Sequence, residues 1–425
     1  MTAVMVIFLL IYLLTILLAA TELVPLSLAA LIGALFTAWF GLSYNVFTYE
    51  EALNFIDMRL LFLIIGAMIV VEVAEKNDLF RFAALYAIKL AGGSPIRLFI
   101  TLNLTAAAVS LFLSDPMAML LMAAAITTIT KLLGYDPIPY FVSSAVMINL
   151  GGTSTLIGSV SNMIIGVEAN LSFSDFISYL SLCELILYGL TLTALYFIFR
   201  SRMRIKKKMP PYDPWESVKD KGAFYKSALI LILFIVLFVL LDMINVGPES
   251  VALGCAVLAL AVSNVDPADI FRRIDWETIF FIAGILFLVS GIEKTGVLSI
   301  ISTEIFKFSG GSSFYGTLLT LWLSGVASIF VSNIAVAATF TPVIKGLSGL
   351  NTSALWSALI LGTNLGGATT PMSGAVPAMA LGAMKREGLK IKFSEFTKVG
   401  VVTTLIQLGF ASIYLIFRFG LAVFG

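Results

Sequence analysis

The sequence predicts an all-α polytopic membrane protein made of two inverted-topology repeats, with about ten transmembrane helices and two re-entrant hairpins. Two observations carry this fold class. The residues are 60% hydrophobic and only 12% charged, which excludes an ordinary soluble domain. In addition, Asn149-Leu150-Gly151-Gly152 recurs as Asn364-Leu365-Gly366-Gly367, each inside an otherwise apolar stretch. The repeat extends outward in nearly constant register. Ile56-Asp57 answers Ile274-Asp275, Glu75-Lys76 answers Glu293-Lys294, Ser114-Asp115 answers Ser332-Asn333, and Phe173-Ser174-Asp175-Phe176 answers Phe393-Ser394-Glu395-Phe396. Paired polar interruptions of membrane segments point to a transport site.

Five crossings are expected in each half. The first half offers 2–20, 22–40, 59–75, a broken segment 138–168, and 175–199; the second offers 227–243, 246–264, 276–292, a broken segment 354–384, and 396–419. Each is long enough for a hydrocarbon core of about 30 Å, which takes about 20 helical residues. The first segment lacks the basic flank of a signal peptide and is read as a crossing. Two shorter apolar runs precede each broken segment, 95–113 with 116–133 and 313–331 with 334–348, and they meet at Ser114-Asp115 and Ser332-Asn333. Lipid does not tolerate exposed turns at membrane depth. The runs are therefore re-entrant hairpins (95–133 and 313–348) whose tips face a protein-lined cavity. Segments 78–91 and 296–308 are amphipathic and lie along the interface.

These elements set the domains: a first repeat over 1–199, a linker over 200–226, and a second repeat over 227–425. The linker carries Arg200, Arg202, Arg204, Lys206, Lys207, Lys208, Lys219, Lys221 and Lys226 around Pro210-Pro211, so it is expected in the cytoplasm. Segments 76–94, 264–275 and 385–395 follow it there, with Lys390 among their basic residues, and both termini fall outside the cell membrane. An odd number of crossings per half turns the second repeat upside down, so the two hairpins enter from opposite faces.

Chemistry concentrates at the interruptions. Asn149, Gly151, Gly152, Thr153, Ser154, Thr155 and Asn162 form one polar run. Asn364, Gly366, Gly367, Thr369, Thr370, Pro371 and Ser373 form the other. Gly and Pro weaken helical geometry. Unwinding there frees carbonyls for a cation and leaves a half-helix N-terminus suited to an anion. The competing reading is that the glycines and hydroxyls only let helices pack closely. Asp115 is an acid in mid-membrane, costing on the order of 2.5–3.5 kcal/mol on insertion scales. Its counterpart Asn333 is neutral, so Asp115 is expected to bind the coupling cation or proton. Ser114, Ser332 and Asn333 would supply oxygen ligands. Glu72, Glu75, Asp242 and Glu293 read as interface residues near segment ends, and Glu184 as a mid-segment acid of undecided role.

Other function classes find little support. Net charge is +1, giving no field for nucleic acid. Histidine is absent, so proton coupling must use carboxylates. Cys183 and Cys255 sit in apolar segments as lone thiols. No Walker A loop or zinc motif is present. No cofactor beyond sodium or a proton as coupling ion is expected, and no enzymatic activity; an ATPase partner is left open.

These residues resemble the ion transporter superfamily, which includes arsenite permeases, NhaD-type sodium/proton antiporters, the melanosomal P protein and divalent anion/sodium symporters. Ser332-Asn333-Ile334 is similar to the Ser-Asn-Thr tip of the dicarboxylate branch. Asp115, and the run from Asn149 through Gly158 to Asn162, look most like the arsenite-permease and P-protein branch. The resemblance implies an elevator-type transporter, a homodimer, and cation sites pairing each tip with its broken helix. Sodium would then lie at Ser114, Asp115 and Gly151, and at Ser332, Asn333 and Gly366. The resulting expectation is a cation- or proton-coupled carrier of a small ion, first arsenite or antimonite efflux, alternatively sodium-coupled uptake of a di- or tricarboxylate. An ion channel is the alternative of another class.

Overall fold

The computed structural model describes residues 2–20, 24–203, 213–242, 246–347, 349–371, 373–386, 388–389 and 391–421. Arg204 through Pro211 of the linker, Lys390 and the side chain of Asp242 lie outside the described residues. Among those described, ten α-helices precede the linker and ten follow it. The first ten are α1 (Ala3–Ala20), α2 (Leu26–Ser43), α3 (Tyr49–Leu53), α4 (Met58–Lys76), α5 (Leu79–Ala91), α6 (Pro95–Ser110), α7 (Asp115–Leu133), α8 (Ile138–Thr153), α9 (Val160–Glu168) and α10 (Phe173–Phe199). The second ten are α11 (Lys221–Asp242), α12 (Pro248–Val262), α13 (Pro267–Arg273), α14 (Trp276–Thr295), α15 (Val297–Phe308), α16 (Ser313–Phe330), α17 (Asn333–Lys345), α18 (Thr352–Gly366), α19 (Ala375–Arg386) and α20 (Phe393–Arg418).

Both hairpins form, α6–α7 and α16–α17, and both long segments break, between α8 and α9 and between α18 and α19. Seven described helices are long and apolar enough to cross a membrane: α2, α7, α10, α11, α14, α16 and α20. Five are expected crossings; α7 and α16 are hairpin arms, which length and composition alone do not distinguish. Large apolar side chains such as Leu35, Trp39, Leu185, Leu229 and Leu405 stay exposed on these helices, as a lipid-facing surface requires.

The halves pack reciprocally. α2 lies against α14 while α4 lies against α12, and α7 against α19 while α17 lies against α9. Small residues permit the closest crossings. A Cβ on Gly66 would stand 2.6 Å from the Ala252 main chain, and one on Gly284 would stand 2.8 Å from that of Ala30. Ion pairs repeat too: Lys76 meets Asp269 at 2.6 Å and its equivalent Lys294 meets Glu51 at 2.7 Å. Several duplicated landmarks thus have structural jobs. Asp57 and Asp275 cap the N-termini of α4 and α14.

Contacts also sort the ends. Arg202, just after α10, pairs with Asp136 at the base of the first hairpin and with Glu395. Lys345, at the base of the second hairpin, pairs instead with Glu168 near the opposite end of α10. The hairpin bases therefore sit at opposite ends of α10.

Candidate functional site

One cavity of about 140 Å³ lies where the four interruptions meet. It is lined by Ser114 to Met117 at the first tip and Ser332 to Ile334 at the second. Gly158, Ser159 and Val160 come from the first break, and Gly374, Ala375 and Val376 from the second. Each group is the N-terminal turn of a helix: α7, α17, α9 and α19. Four helix N-termini therefore converge, each equivalent to roughly half a positive charge. The charged side chains on the wall are nevertheless all acidic: Glu72, Asp115 and Asp275. Among the described residues, no Lys or Arg lines it.

Of the expected site residues, Ser114, Asp115, Ser332, Asn333, Asn149 and Gly367 reach this wall. A Cβ on Gly152 would lie 3.0 Å from Asp115 Oδ1, so this second glycine of the first pair faces the acid directly. Asp115 Oδ1 itself is buried without a hydrogen-bond partner.

Gly151 and Gly366 do something different. Each turns its Cα toward a hairpin arm, where an added Cβ would lie 2.4 Å from the Ala107 carbonyl oxygen and 2.2 Å from that of Gly325. Their carbonyls already accept main-chain bonds from Ser154 and Thr369. At these two positions, close packing accounts for the glycine, and neither residue lines the cavity as the sodium reading expects.

The remaining polar residues hold the breaks open. Asn162 Nδ2 donates to the carbonyls of Gly152 (2.9 Å) and Thr155 (2.7 Å), and less closely to Thr153. At the second break Ser373 Oγ takes over this task, donating to Gly367 O at 2.9 Å and Thr370 O at 2.7 Å. Thr155 and Thr370 tie the breaks to the hairpin backbones at Leu111 and Ile329. Thr153 bonds back within α8. Pro371 lies buried in the second break. Asn364 Nδ2 donates to Asn162 Oδ1 at 2.7 Å, and its Oδ1 accepts from Ser161.

Two residues face away from the cavity toward the last helix of their half. Ser154 contacts Tyr188 and, at 3.5 Å, Glu184 on α10. Its equivalent Thr369 bonds Thr404 on α20 at 2.7 Å. Glu184 is buried behind the break, with Oε1 unpartnered. Cys183 and Cys255 are buried free thiols.

Glu72 is the main correction. Read as an interface residue, it is only 2% exposed, lines the cavity, and leaves Oε2 unpartnered. Position near a helix end hid this, because interfacial and inward-facing acids there look alike in sequence. Glu75 keeps the surface role, paired with Arg273 at 3.1 Å. Asp275, Gly158, Ser159 and Gly374 are further wall residues absent from the expected set; the Gly-x-Val repeat at 158–160 and 374–376 was the available signal.

A family model described as citrate transporter matches residues 16–362. A 46 kDa membrane protein of Mycobacterium leprae is 29% identical over 96% of this chain and 97% of its own length. An uncharacterized transporter of Mycobacterium tuberculosis is 31% identical over 86% and 87%. The magnetosome protein MamN of Magnetospirillum gryphiswaldense is 25% identical over 91% and 93%. In three dimensions the chain is similar to the YdaH transporter of Alcanivorax borkumensis, with a TM-score of 0.65, 13% identity and 99% of each chain covered. That likeness concerns the fold.

Proposed function

The chain belongs to the citrate transporter family within the ion transporter superfamily, and from this premise we propose that it is a cation- or proton-coupled secondary transporter of a small carboxylate. The membrane-transporter assignment is shared with its relatives; the substrate, the coupling and the cycle are our reading. One observation carries it: four helix N-termini converge on a cavity whose charged side chains are all acids. The N-termini favour an anion. With no basic side chain on the described wall, a carboxylate needs accompanying positive charge, and Asp115 is where that cation or proton binds. The volume lies below the roughly 300–1,000 Å³ of drug-sized pockets and suits a small ion.

The arrangement supports alternating access as the cycle. Two hairpins with bases at opposite ends of α10 act as the two gates of inverted repeats. The bonded breaks and hairpins move as one body against α2, α4, α12 and α14 in an elevator-type cycle. The multi-pass protein sits in the cell membrane as a homodimer, with the basic linker in the cytoplasm. Asp115, which distinguishes the first tip from the second, favours arsenite or antimonite efflux as the second reading.

The test is uptake into proteoliposomes of citrate, succinate, sulfate, arsenite and sodium under imposed sodium or proton gradients. Saturable, gradient-driven citrate or succinate uptake is expected, and Asp115→Asn abolishes it while the protein stays folded. Unsaturable flux would indicate a channel, and undiminished concentrative uptake by Asp115→Asn would remove Asp115 as coupling group.

A further inference from the structure

A second concave surface lies apart from the transport cavity, on the outer side of α10. It holds about 570 Å³ and runs from Leu185 through Gly189 and Thr193 to Phe197, with Ile406 of α20 at its side. Those α10 residues follow a spacing of four and so share one face. Gly189 makes the hollow, since a Cβ added there would meet nothing within 4 Å. From Leu185 to Phe197 the helix rises about 18 Å at about 1.5 Å per residue. One leaflet of the hydrocarbon core is roughly 15 Å deep, so the groove has the length of an acyl chain.

The end of the groove nearest the linker is basic. α10 and α20 run antiparallel, in a register fixed by bonds between Tyr414 and Tyr179, Gln407 and Thr191, and Arg202 and Glu395. From the Arg202–Glu395 pair toward the groove, Arg200 comes two residues along one chain and Lys398 three along the other. They therefore stand within about one helical turn, 5.4 Å, of the same level. The Arg200 guanidinium lies over the Phe197 ring, 5.4 Å from its centroid, which sets its charge at the mouth of the groove. Lys398 is exposed and connects to Ile406 through exposed Val402 at the same spacing of four. Arg202 engages both nearby acids, Asp136 and Glu395. Among the described residues, no carboxylate pairs with Arg200 or Lys398.

We propose that this groove binds one anionic phospholipid of the linker-side leaflet, its acyl chain along Gly189 and its phosphate held by Arg200 and Lys398. Charge complementarity selects this occupant. An apolar slot of chain length ends in two unpaired cations, and an Arg fork with a Lys point charge suits a phosphate. A second copy fits worse. Docked through this groove about an axis normal to the membrane, it would bring Arg200 and Lys398 against their own equivalents. Because α10 packs on α8 and α20 on α18, the bound lipid rests on the helices that back both breaks.

The test is lipid retention by the purified full-length protein. It is stripped of lipid in detergent, mixed with dioleoylphosphatidylglycerol or dioleoylphosphatidylcholine, and weighed intact by native mass spectrometry. One phosphatidylglycerol per chain should be retained, and phosphatidylcholine much more weakly. Arg200→Gln/Lys398→Gln should lower phosphatidylglycerol retention about 30-fold, the scale for two basic residues at an anionic lipid surface. Arg81→Gln/Lys89→Gln, which removes two exposed charges from α5, should leave it unchanged. Gly189→Leu fills the slot and should also lower retention, with a wild-type melting midpoint showing that the fold is intact. Equal retention of the two lipids, or undiminished phosphatidylglycerol on Arg200→Gln/Lys398→Gln, overturns the proposal. Undiminished retention by folded Gly189→Leu does so too. If Gly189→Leu instead converts a dimer to monomers, a second copy holds the groove and the lipid assignment falls.

Discussion

Asn149 Nδ2 donates to the main-chain oxygen of Asn364 at 2.6 Å, although the two asparagines hold equivalent positions in the two halves. The bond bridges the broken helices at the point where both unwind. Asn364 returns the link through its own amide, which donates to Asn162. The breaks therefore form one polar cluster, and a change in one is felt in the other.

Asn162→Ala follows from this cluster. It removes the side-chain donor shared by the Gly152, Thr153 and Thr155 carbonyls and strips Asn364 of a partner. A buried group left unsatisfied costs about 1–3 kcal/mol. The thermal midpoint in detergent should fall clearly below that of Ser178→Ala, whose hydroxyl makes an exposed local bond. Equal midpoints would mean that the breaks hold themselves open without Asn162.

Gly151→Ala and Gly366→Ala should be nearly as harmful as each other. Both place a methyl within 2.4 Å of a hairpin carbonyl oxygen, and neither main chain can yield without moving a whole arm. Overpacking of this kind costs about 1–3 kcal/mol. Gly189→Ala, with nothing within 4 Å of its new Cβ, is the control and should be silent. Monodispersity and melting of the three variants decide it; a stable Gly151→Ala would reopen the direct-ligand reading of that glycine.

How much of this was written in the sequence depends on the kind of signal. Hairpins and breaks were legible because Ser114-Asp115, Ser332-Asn333 and the two Gly pairs interrupt apolar runs that otherwise have no reason to stop. Asp115 was legible because a membrane acid is conspicuous. The place of Glu72 on the cavity wall was not, since α4 is apolar almost all round and periodicity says little about which face meets a cavity. Nor could spacing tell Gly151 from Gly152: adjacent helical residues point about 100° apart, one into a hairpin arm and the other toward Asp115. The bond between Asn149 and Asn364 depends on how the halves dock, which no local pattern encodes.

The reciprocal ion pairs predict a pH effect. Hydrogen bonding from Lys294, with further help from Thr48, holds the Glu51 carboxyl below its ordinary value, and Lys76 does the same for Asp269. A depressed carboxylate contributes stability that is present above its unfolded value, about 4, and lost as pH falls through the lower folded value. Both groups are exposed, so the effect is small and weakened by salt. Lys294→Glu should flatten the acid limb of the melting profile and Glu51→Lys in the same chain should restore it; an unchanged limb in Lys294→Glu would show that the pair is idle.

Glu184 supplies the last test, because its half-repeat equivalent is Thr404 and the fold manages there without an acid. Ser154 meets Glu184 as Thr369 meets Thr404, so the position needs a polar group facing the break and not a charge. Glu184→Gln keeps an acceptor for Ser154 and removes the cost of a buried acid whose Oε1 has no partner. Its melting midpoint should therefore match or exceed the wild type. Ser154→Ala, by contrast, leaves the acid with one partner fewer and should melt lower, and this deficit should shrink in the Ser154→Ala/Glu184→Gln double variant. A midpoint for Glu184→Gln well below wild type would mean that the carboxylate itself holds α10 against the break.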